Sequence, residues 1–366
     1  MLDTYRKLQQ HLDKMPIGFP VAESGMDIRM LKHFFTPEEA EIALKLKFLP
    51  TSLKKIFRKV KNNKMNIEEL EAILDRMANK GSIHYFKKNE ESGIVKYYYN
   101  AFLAVGMFEY KLNNLSREFS EDYEQYMAEA YLKEMTRTKI PQLRTIPIDE
   151  NITIEHQIST YDDARKIIED VKGPISIANC VCRQNKDVLD QPCKATDLRE
   201  ICLHFRLSSK IYLEKGLSRE ISKEEALKVL EIAEKEGLVL QPSNSQKPET
   251  ICCCCGCCCE YLARKKTLPN PIDFFATNFY SVVDSDLCTG CGTCIDRCQM
   301  EACTLLDDIS TINLNRCIGC GLCVLTCPSK AISLYKKEKE NIPPENTLDT
   351  YMKIMEKKNK MHFEKK

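Results

Sequence analysis

Apolar positions in the first hundred residues change period once. Residues 1–36 read as an amphipathic helix followed by the connector PIGFPVAESG. From Thr36 the pattern predicts three helices. Thr36 is a cap with Pro37 at the first helical position. Thr51 or Ser52 caps a second helix running to Lys61. The third spans 66–79, with Ile67, Leu70, Ile73, Leu74 and Met77 on one face and Gly81 beyond its end. Strands follow at 82–87 and 93–99, joined by a polar turn from Lys88 to Ser92. Helix, helix, helix, hairpin is the order of a winged helix.

Beyond residue 100 the signals mix. Helix is expected around 115–137 and at 160–172, extended chain at 142–158, and an apolar strand at 174–181. Ser222 with Glu225 forms a capping-box pattern ahead of Ala226, Leu227, Val229, Leu230 and Ile232, and Gly237 closes that helix before a strand at 238–241. The tail after 336, rich in Lys, Glu, Asn and Pro, is expected to carry a helix at 347–358 and to add no core. The fold class is therefore multidomain α+β. It divides into a winged-helix-like module at 1–110, a cysteine-rich α/β domain at 111–275, a third domain at 276–335 and a charged tail at 336–366.

Composition fits a soluble globular chain, 43% hydrophobic and 29% charged. A net charge of +1 gives no global field for nucleic acid or an anionic membrane. No apolar run is long enough to span a bilayer, and the N-terminus lacks a signal-peptide core. The 20 cysteines change the picture, because none precedes Cys180 and they then cluster at tight spacings. Such spacing suits metal thiolates rather than disulfides. It implies a reducing and largely anoxic cytoplasm, since exposed thiolates oxidise.

The last cysteines repeat one pattern. Cys288, Cys291, Cys294 and Cys298 are followed by Cys317, Cys320, Cys323 and Cys327, the last preceding Pro328. This resembles the bacterial ferredoxin domain that holds two 4Fe–4S clusters. The resemblance implies a crossed ligand set, because the two halves pack about a pseudo-twofold. Cys288, Cys291, Cys294 and Cys327 would hold one cluster, and Cys317, Cys320, Cys323 and Cys298 the other. Gly290, Gly292, Gly319 and Gly321 permit the tight turns that bring N–H groups to sulfur. Gln299 stands where a proline often follows the fourth cysteine, which puts local rigidity in doubt. Cys303 is surplus and reads as a small core residue. Paired zinc sites are the competing reading, and zinc rarely uses this doubled spacing.

The central cysteines leave three readings open. Cys180, Cys182, Cys193 and Cys202 hold a third iron–sulfur cluster, completed from Cys252, Cys255, Cys257, Cys258 and Cys259; or both groups together bind another metal centre; or they are thiols without metal. Adjacent cysteines diverge, so not all of 252–259 converge on one site. Arg183 donates to cluster sulfur, binds an anionic partner, or, as is commoner for such an arginine, sits in a surface salt bridge. His204 lies near Cys202 but is expected to pack on a helix.

The stretches GFPVAESG, FTPEEAEIAL, ANCVCRQ, ISKEEALKVLEIAEKEGLV, ICCCCGCCC and TNFYSVVDSDLCTGCGTCIDRC together resemble a family of anaerobic 4Fe–4S ferredoxin-type proteins over residues 1–335. In that family the position of Cys253 is more often Asn, which makes Cys253 the weakest ligand candidate of its run. The resemblance implies a redox protein of anaerobic metabolism without supplying a reaction.

A DNA-reading role is disfavoured. The third helix exposes Glu68, Glu69, Glu71 and Asp75, which repel phosphates. The preceding helix is basic through Lys54, Lys55, Arg58, Lys59, Lys61 and Lys64, which suits docking or a homodimer contact. No nucleotide-binding glycine motif and no nucleophile–base set is present. The expected function is low-potential single-electron transfer between a donor protein and a partner redox enzyme, by a carrier rather than a stand-alone enzyme. The alternatives are a redox-sensing transcription regulator and an oxidoreductase working at the central cysteines.

Overall fold

A computed structural model describes residues 2–60, 65–91, 93–148 and 159–363. The chain forms two compact units, Met1–Arg137 with Lys358–Lys366, and Thr138–Lys357.

The first unit contains α1 (Leu2–Leu12), α2 (Met26–Phe34), α3 (Pro37–Ala43), β1 (Thr51–Ser52), α4 (Leu53–Val60), α5 (Ile67–Asn79), β2 (Ile83–Glu90), β3 (Gly93–Asn100), α6 (Arg117–Tyr126) and α7 (Leu132–Thr136). Thr36 caps α3 and Asn66 caps α5, each in a reciprocal box with a glutamate three residues on. Such a cap is worth about 1 kcal/mol. Between the expected connector, which ends at Gly25, and Thr36 the chain forms α2, which the pattern did not predict. The three strands form an antiparallel sheet in the order β1-β3-β2. Tyr98 is buried and donates to Asp75 at 2.6 Å, so the tyrosines of β3 pack the sheet. Lys61, Lys64 and Ser92 lie outside the described residues, as does the 149–158 part of the segment expected to be extended.

Helices α6 and α7 belong to this first unit, not to the domain expected from residue 111. The cause is an aromatic stripe at helical spacing. Phe119, Tyr123 and Tyr126 are all buried, and Phe119 meets Phe34 of α2 edge-on at 5.6 Å.

The second unit starts with α8 (Ala164–Glu169) and a five-stranded antiparallel sheet built from β4 (Ile175–Asn179), β5 (Glu200–Phe205), β6 (Ser218–Ile221), β7 (Val239–Pro242) and β8 (Thr250–Cys254), in the order β6-β4-β5-β8-β7. Helices α9 (Val181–Val188), α10 (Arg206–Glu214) and α11 (Lys223–Lys235) connect the strands, and α12 (Leu262–Lys266) follows them. Ser222 caps α11 by accepting from Glu225 N–H at 3.1 Å. A fully buried ion pair, Arg144 with Asp162, is completed by Asn278 donating to Asp162 at 2.7 Å.

The same unit holds β9 (Phe279–Val283), α13 (Thr293–Arg297), β10 (Cys303–Leu306), β11 (Ile309–Ile312), α14 (Leu322–Thr326) and β12 (Ile332–Lys336). Strand β12 pairs with β9, and β10 with β11, both antiparallel. The tail is not bare. In α15 (Thr347–Phe363), Ile354 is fully buried and Thr350 donates to Asn244 O at 2.6 Å. The inward positions of α15 are Thr350, Ile354 and Lys358, while Leu348, Met352 and Phe363 are exposed.

Candidate metal and cluster sites

The C-terminal module repeats its backbone as well as its spacing. Gly290 and Gly292 have φ of +68° and +77°, and Gly319 and Gly321 have +64° and +77°. A Cβ on Gly290 would lie 2.4 Å from Asp308 O, and one on Gly319 would lie 2.2 Å from Phe279 O. Glycine is therefore demanded at both places by conformation and by contact. The loops end in short helices that carry the third cysteine of each half, Cys294 in α13 and Cys323 in α14.

Cys288, Cys291, Cys294 and Cys327 line one pocket, with Gly290, Gly292 and Ser310 in its wall. Sulfur-directed donors recur in both halves. Ala302 N–H donates to Cys298 Sγ at 3.2 Å, and Ala331 N–H to Cys327 Sγ at 3.3 Å. Ser310 N–H donates to Cys288 Sγ at 3.3 Å, and its hydroxyl lies 3.1 Å from Cys294 Sγ. Ser281 is its counterpart, with its hydroxyl 3.6 Å from Cys323 Sγ and its N–H directed at Cys317. These donors stabilise thiolate charge and fit the surroundings of an iron–sulfur cluster.

Cys303 packs with Cys294, Cys323 and Ile332. It fills in its half the place that Ile332 fills in the other, each following the alanine that donates to the last cysteine of its half. Its thiol hydrogen-bonds Cys298 and so draws Cys298 down to about 6, while its own proton is held more tightly. Burial raises Cys317 and Cys320.

Gln299 has a role that the spacing did not show. Its side-chain oxygen accepts from Gly256 N–H at 2.7 Å, and its side-chain nitrogen donates to Gly237 O at 2.9 Å. A Cβ on Gly256 would lie 2.3 Å from Gln299 O. The residue after Cys298 thus ties the module to the cysteine run at 252–259, which a proline could not do.

Antiparallel register gathers the central cysteines. The C-terminal ends of β4 and β8 and the N-terminal end of β5 meet at one end of the sheet. Two thiol groups result. In the first, Cys202 and Cys252 lie 3.9 Å apart and Cys254 and Cys259 3.2 Å apart. Further contacts between Cys252 and Cys254, Cys259 and Cys182, and Cys182 and Cys180 complete a set of six. In the second, Cys193, Cys255, Cys257 and Cys258 bring their Sγ atoms within 4.8 Å of one another.

This division differs from the expected grouping of Cys193 with Cys180, Cys182 and Cys202. Helix α9 and the loop after it carry the chain away from Cys182, so Cys193 reaches the turn at Gly256 instead. Cys253 alternates to the opposite side of β8 from Cys252 and Cys254, and its carbonyl accepts from Arg183 at 3.0 Å.

Arg183 is fully buried rather than a surface ion-pair residue. Burial alone would weaken its cation, but Cys180, Cys255 and Cys193 outweigh that and hold the proton. Lys265 is also fully buried, donating to Phe274 O at 3.0 Å, with burial depressing its pKa despite the nearby Cys259. His204 is in β5, stacked 3.7 Å from Tyr212, and burial lowers it to about 3. Lys265 stands between Arg264 and Lys266 in a basic run that offered no sequence signal of burial, and Gln299 was marked only as a missing proline.

Residues 281–304 and 310–333 each match the family described as the 4Fe–4S binding domain. No curated protein and no solved structure matches the chain. The tandem motifs support two 4Fe–4S clusters in the C-terminal module, and the chemistry of that module is iron–sulfur electron transfer. Among the described residues no helix is long and apolar enough to cross a membrane.

Proposed function

We propose that this chain passes single low-potential electrons between a donor protein and a partner redox enzyme, with a third iron–sulfur centre in the middle of the chain. Such a centre, when bound, accepts and releases one electron without bond-making in the substrate sense. The residues of this chain then set ligation, burial and route. In the C-terminal module we assign Cys288, Cys291, Cys294 and Cys327 to one cluster, and Cys317, Cys320, Cys323 and Cys298 to the other. The six thiols Cys180, Cys182, Cys202, Cys252, Cys254 and Cys259 are the candidates for the third centre, flanked by the Arg183 cation and the buried amine of Lys265.

The observation that carries the reading is the Gln299 bridge. Cys298, Gln299 and Gly256 form a short covalent and hydrogen-bonded path from a module cysteine to the central run. A module that served alone would have no need of that contact. Twenty free thiols also suit a reducing, anoxic cytoplasm.

In this reading the first unit is a docking or homodimer module of winged-helix type. The β1-β3-β2 sheet behind α3, α4 and α5 supports that assignment, and the exposed Lys54, Lys55, Arg58 and Lys59 of α4 supply a basic face for an acidic partner. DNA is a poor fit, because Glu71 and Asp75 of α5 are spent on Lys96 and the rest of that face is acidic. An oxidoreductase working at the central thiols is the second reading; it requires an iron there that no protein thiolate fills, and the surplus of thiols over the four a cubane needs counts against it.

The test is iron and acid-labile sulfide per chain, measured anaerobically with an electron-paramagnetic-resonance redox titration. The wild type is compared with a Cys180→Ser/Cys182→Ser variant. Iron above about eight per chain, falling to about eight in the variant, supports the third centre. About eight in both restricts the protein to its module. A signal that shifts on adding a small substrate, rather than a partner protein, favours the oxidoreductase.

A further inference from the structure

We propose that Cys193, Cys255, Cys257 and Cys258 form a separate site for a single tetrahedral thiophilic ion, zinc in class, beside the six-thiol group and not part of it. The inference stands on its own geometry and does not require the electron-transfer reading.

The spacing of the sulfurs decides between one ion and a cluster. Cys193 Sγ lies 3.6 Å from Cys255 Sγ and 3.6 Å from Cys257 Sγ, and Cys257 and Cys258 are 3.5 Å apart. Four thiolates about 2.3 Å from one zinc ion stand about 3.8 Å from each other. In a cubane each thiolate binds a different iron, so the four sulfurs stand farther apart. The C-terminal module supplies the comparison within the same chain. Its cysteines Cys288, Cys291, Cys294 and Cys327 line a common pocket without drawing together so closely. Among the described residues, only the Cys193 set draws three or more His, Cys, Asp or Glu donors within 4.8 Å of one another.

The backbone prepares the site. Gly256 turns the chain so that Cys255 and the pair Cys257 and Cys258 face the same point, and the loop after α9 brings Cys193 from the other side. The N–H groups of Ala195 and Lys194 are directed at Cys193 and Cys257. Such donors are the usual outer partners of metal thiolates. Four thiolates on a divalent ion leave a net negative charge. Arg183, fully buried and facing Cys193 and Cys255, offsets one of the two negative charges.

Four protein thiolates leave no open position, which marks the site as structural rather than catalytic. Its role would be to pin the loop carrying Cys193 to the turn at Gly256. That turn is the one Gln299 grips, so the ion would hold in place the bridge to the C-terminal module.

The experiment uses the full chain, purified anaerobically with zinc and iron both supplied. Metals are counted by mass spectrometry in the wild type and in Cys193→Ser, Cys257→Ser and Cys253→Ser variants. Zinc absorption-edge spectra are recorded on the wild type. The proposal expects about one zinc per chain with four sulfur neighbours near 2.3 Å. It expects zinc occupancy to fall at least tenfold in the Cys193 and Cys257 variants, with iron and sulfide unchanged. Cys253→Ser, on the other side of β8, should keep its zinc. Loss of several irons with sulfide from the Cys193 or Cys257 variant would overturn the proposal, as would equal zinc in all four proteins. Should those variants fail to fold, the wild-type spectrum decides: nitrogen or oxygen neighbours, or no bound zinc, would overturn the proposal. Failure of the electron-transfer reading would appear separately, in the iron count of the wild type.

Discussion

The C-terminal module and the cysteine-rich end of the five-stranded sheet solve the problem of gathering thiols differently. In the module each half supplies three cysteines from one tight loop, and positive-φ glycines let amide groups face the sulfurs. Cys327, the fourth cysteine of its half, crosses to the pocket of Cys288, Cys291 and Cys294, and the proposed ligand sets give Cys298 the matching role. At the sheet end, sulfur arrives from β4, β5, β8 and two loops, and neighbours in sequence go to different groups. Cys254 joins the six-thiol set, Cys255 the four-thiol set, and Cys253 neither. Local spacing builds the first region, while strand register and alternation build the second.

The largest expected effect tests that contrast. Cys327→Ser should remove about four irons per chain by emptying the pocket it shares with Cys288, Cys291 and Cys294, whereas Cys298→Ser should remove the other set. Iron analysis with electron paramagnetic resonance reads both. Loss of the same signal in the two variants would break the crossed assignment.

Next in size is the frame common to both regions. Asp162→Ala leaves the fully buried Arg144 without its counter-charge, and should cost about 3–5 kcal/mol. The denaturation midpoint should fall and both regions should lose metal together. A normal midpoint would show that the two regions do not share this support.

The bridge between the regions comes third. Gln299→Leu leaves Gly256 N–H and Gly237 O without their partner, at a cost of about 1–3 kcal/mol for each group that stays buried. Iron content should hold while electron equilibration between the module and the central thiols slows in rapid-mixing experiments. Unchanged rates would confine the bridge to a mechanical role.

Gly319→Ala and Gly292→Ala then sharpen the picture of the loops. Left-handed backbone alone costs an alanine about 1–2 kcal/mol. A Cβ at 292 meets open space, but at 319 it meets Phe279 O. Gly319→Ala should therefore lower the thermal midpoint more.

The smallest effect lies in the first unit. Burial alone would raise the Glu39 carboxyl, but bonds from Lys80, Thr36 N–H and Arg76 outweigh burial and hold it below its usual 4.5. Its stabilising contribution is thus present above pH 4.5 and lost as pH falls through its lower folded value. Acid titration of unfolding should show this slope in wild type and lose it in Glu39→Gln.

What the sequence determined by itself was whatever depends on near neighbours. Thr36 and Ser222 marked helix starts, because capping is a contact across three residues. The doubled spacing from Cys288 to Cys327 marked the cluster module, because three ligands on one loop leave a local signature. The packed tail helix and the place of α6 were hidden, since the inward positions of the first are mostly polar and the aromatic stripe of the second is set among charges. Tertiary structure alone decided how the central cysteines divide, because register between β5 and β8 brings Cys202 to Cys252 while the path after α9 takes Cys193 elsewhere. It alone turned Arg183 inward and made Gln299 a bridge. In each of these the partner lies tens of residues away, brought close by strand register and the path of the loops within the sheet region and, for Gln299, by packing of that region against the module.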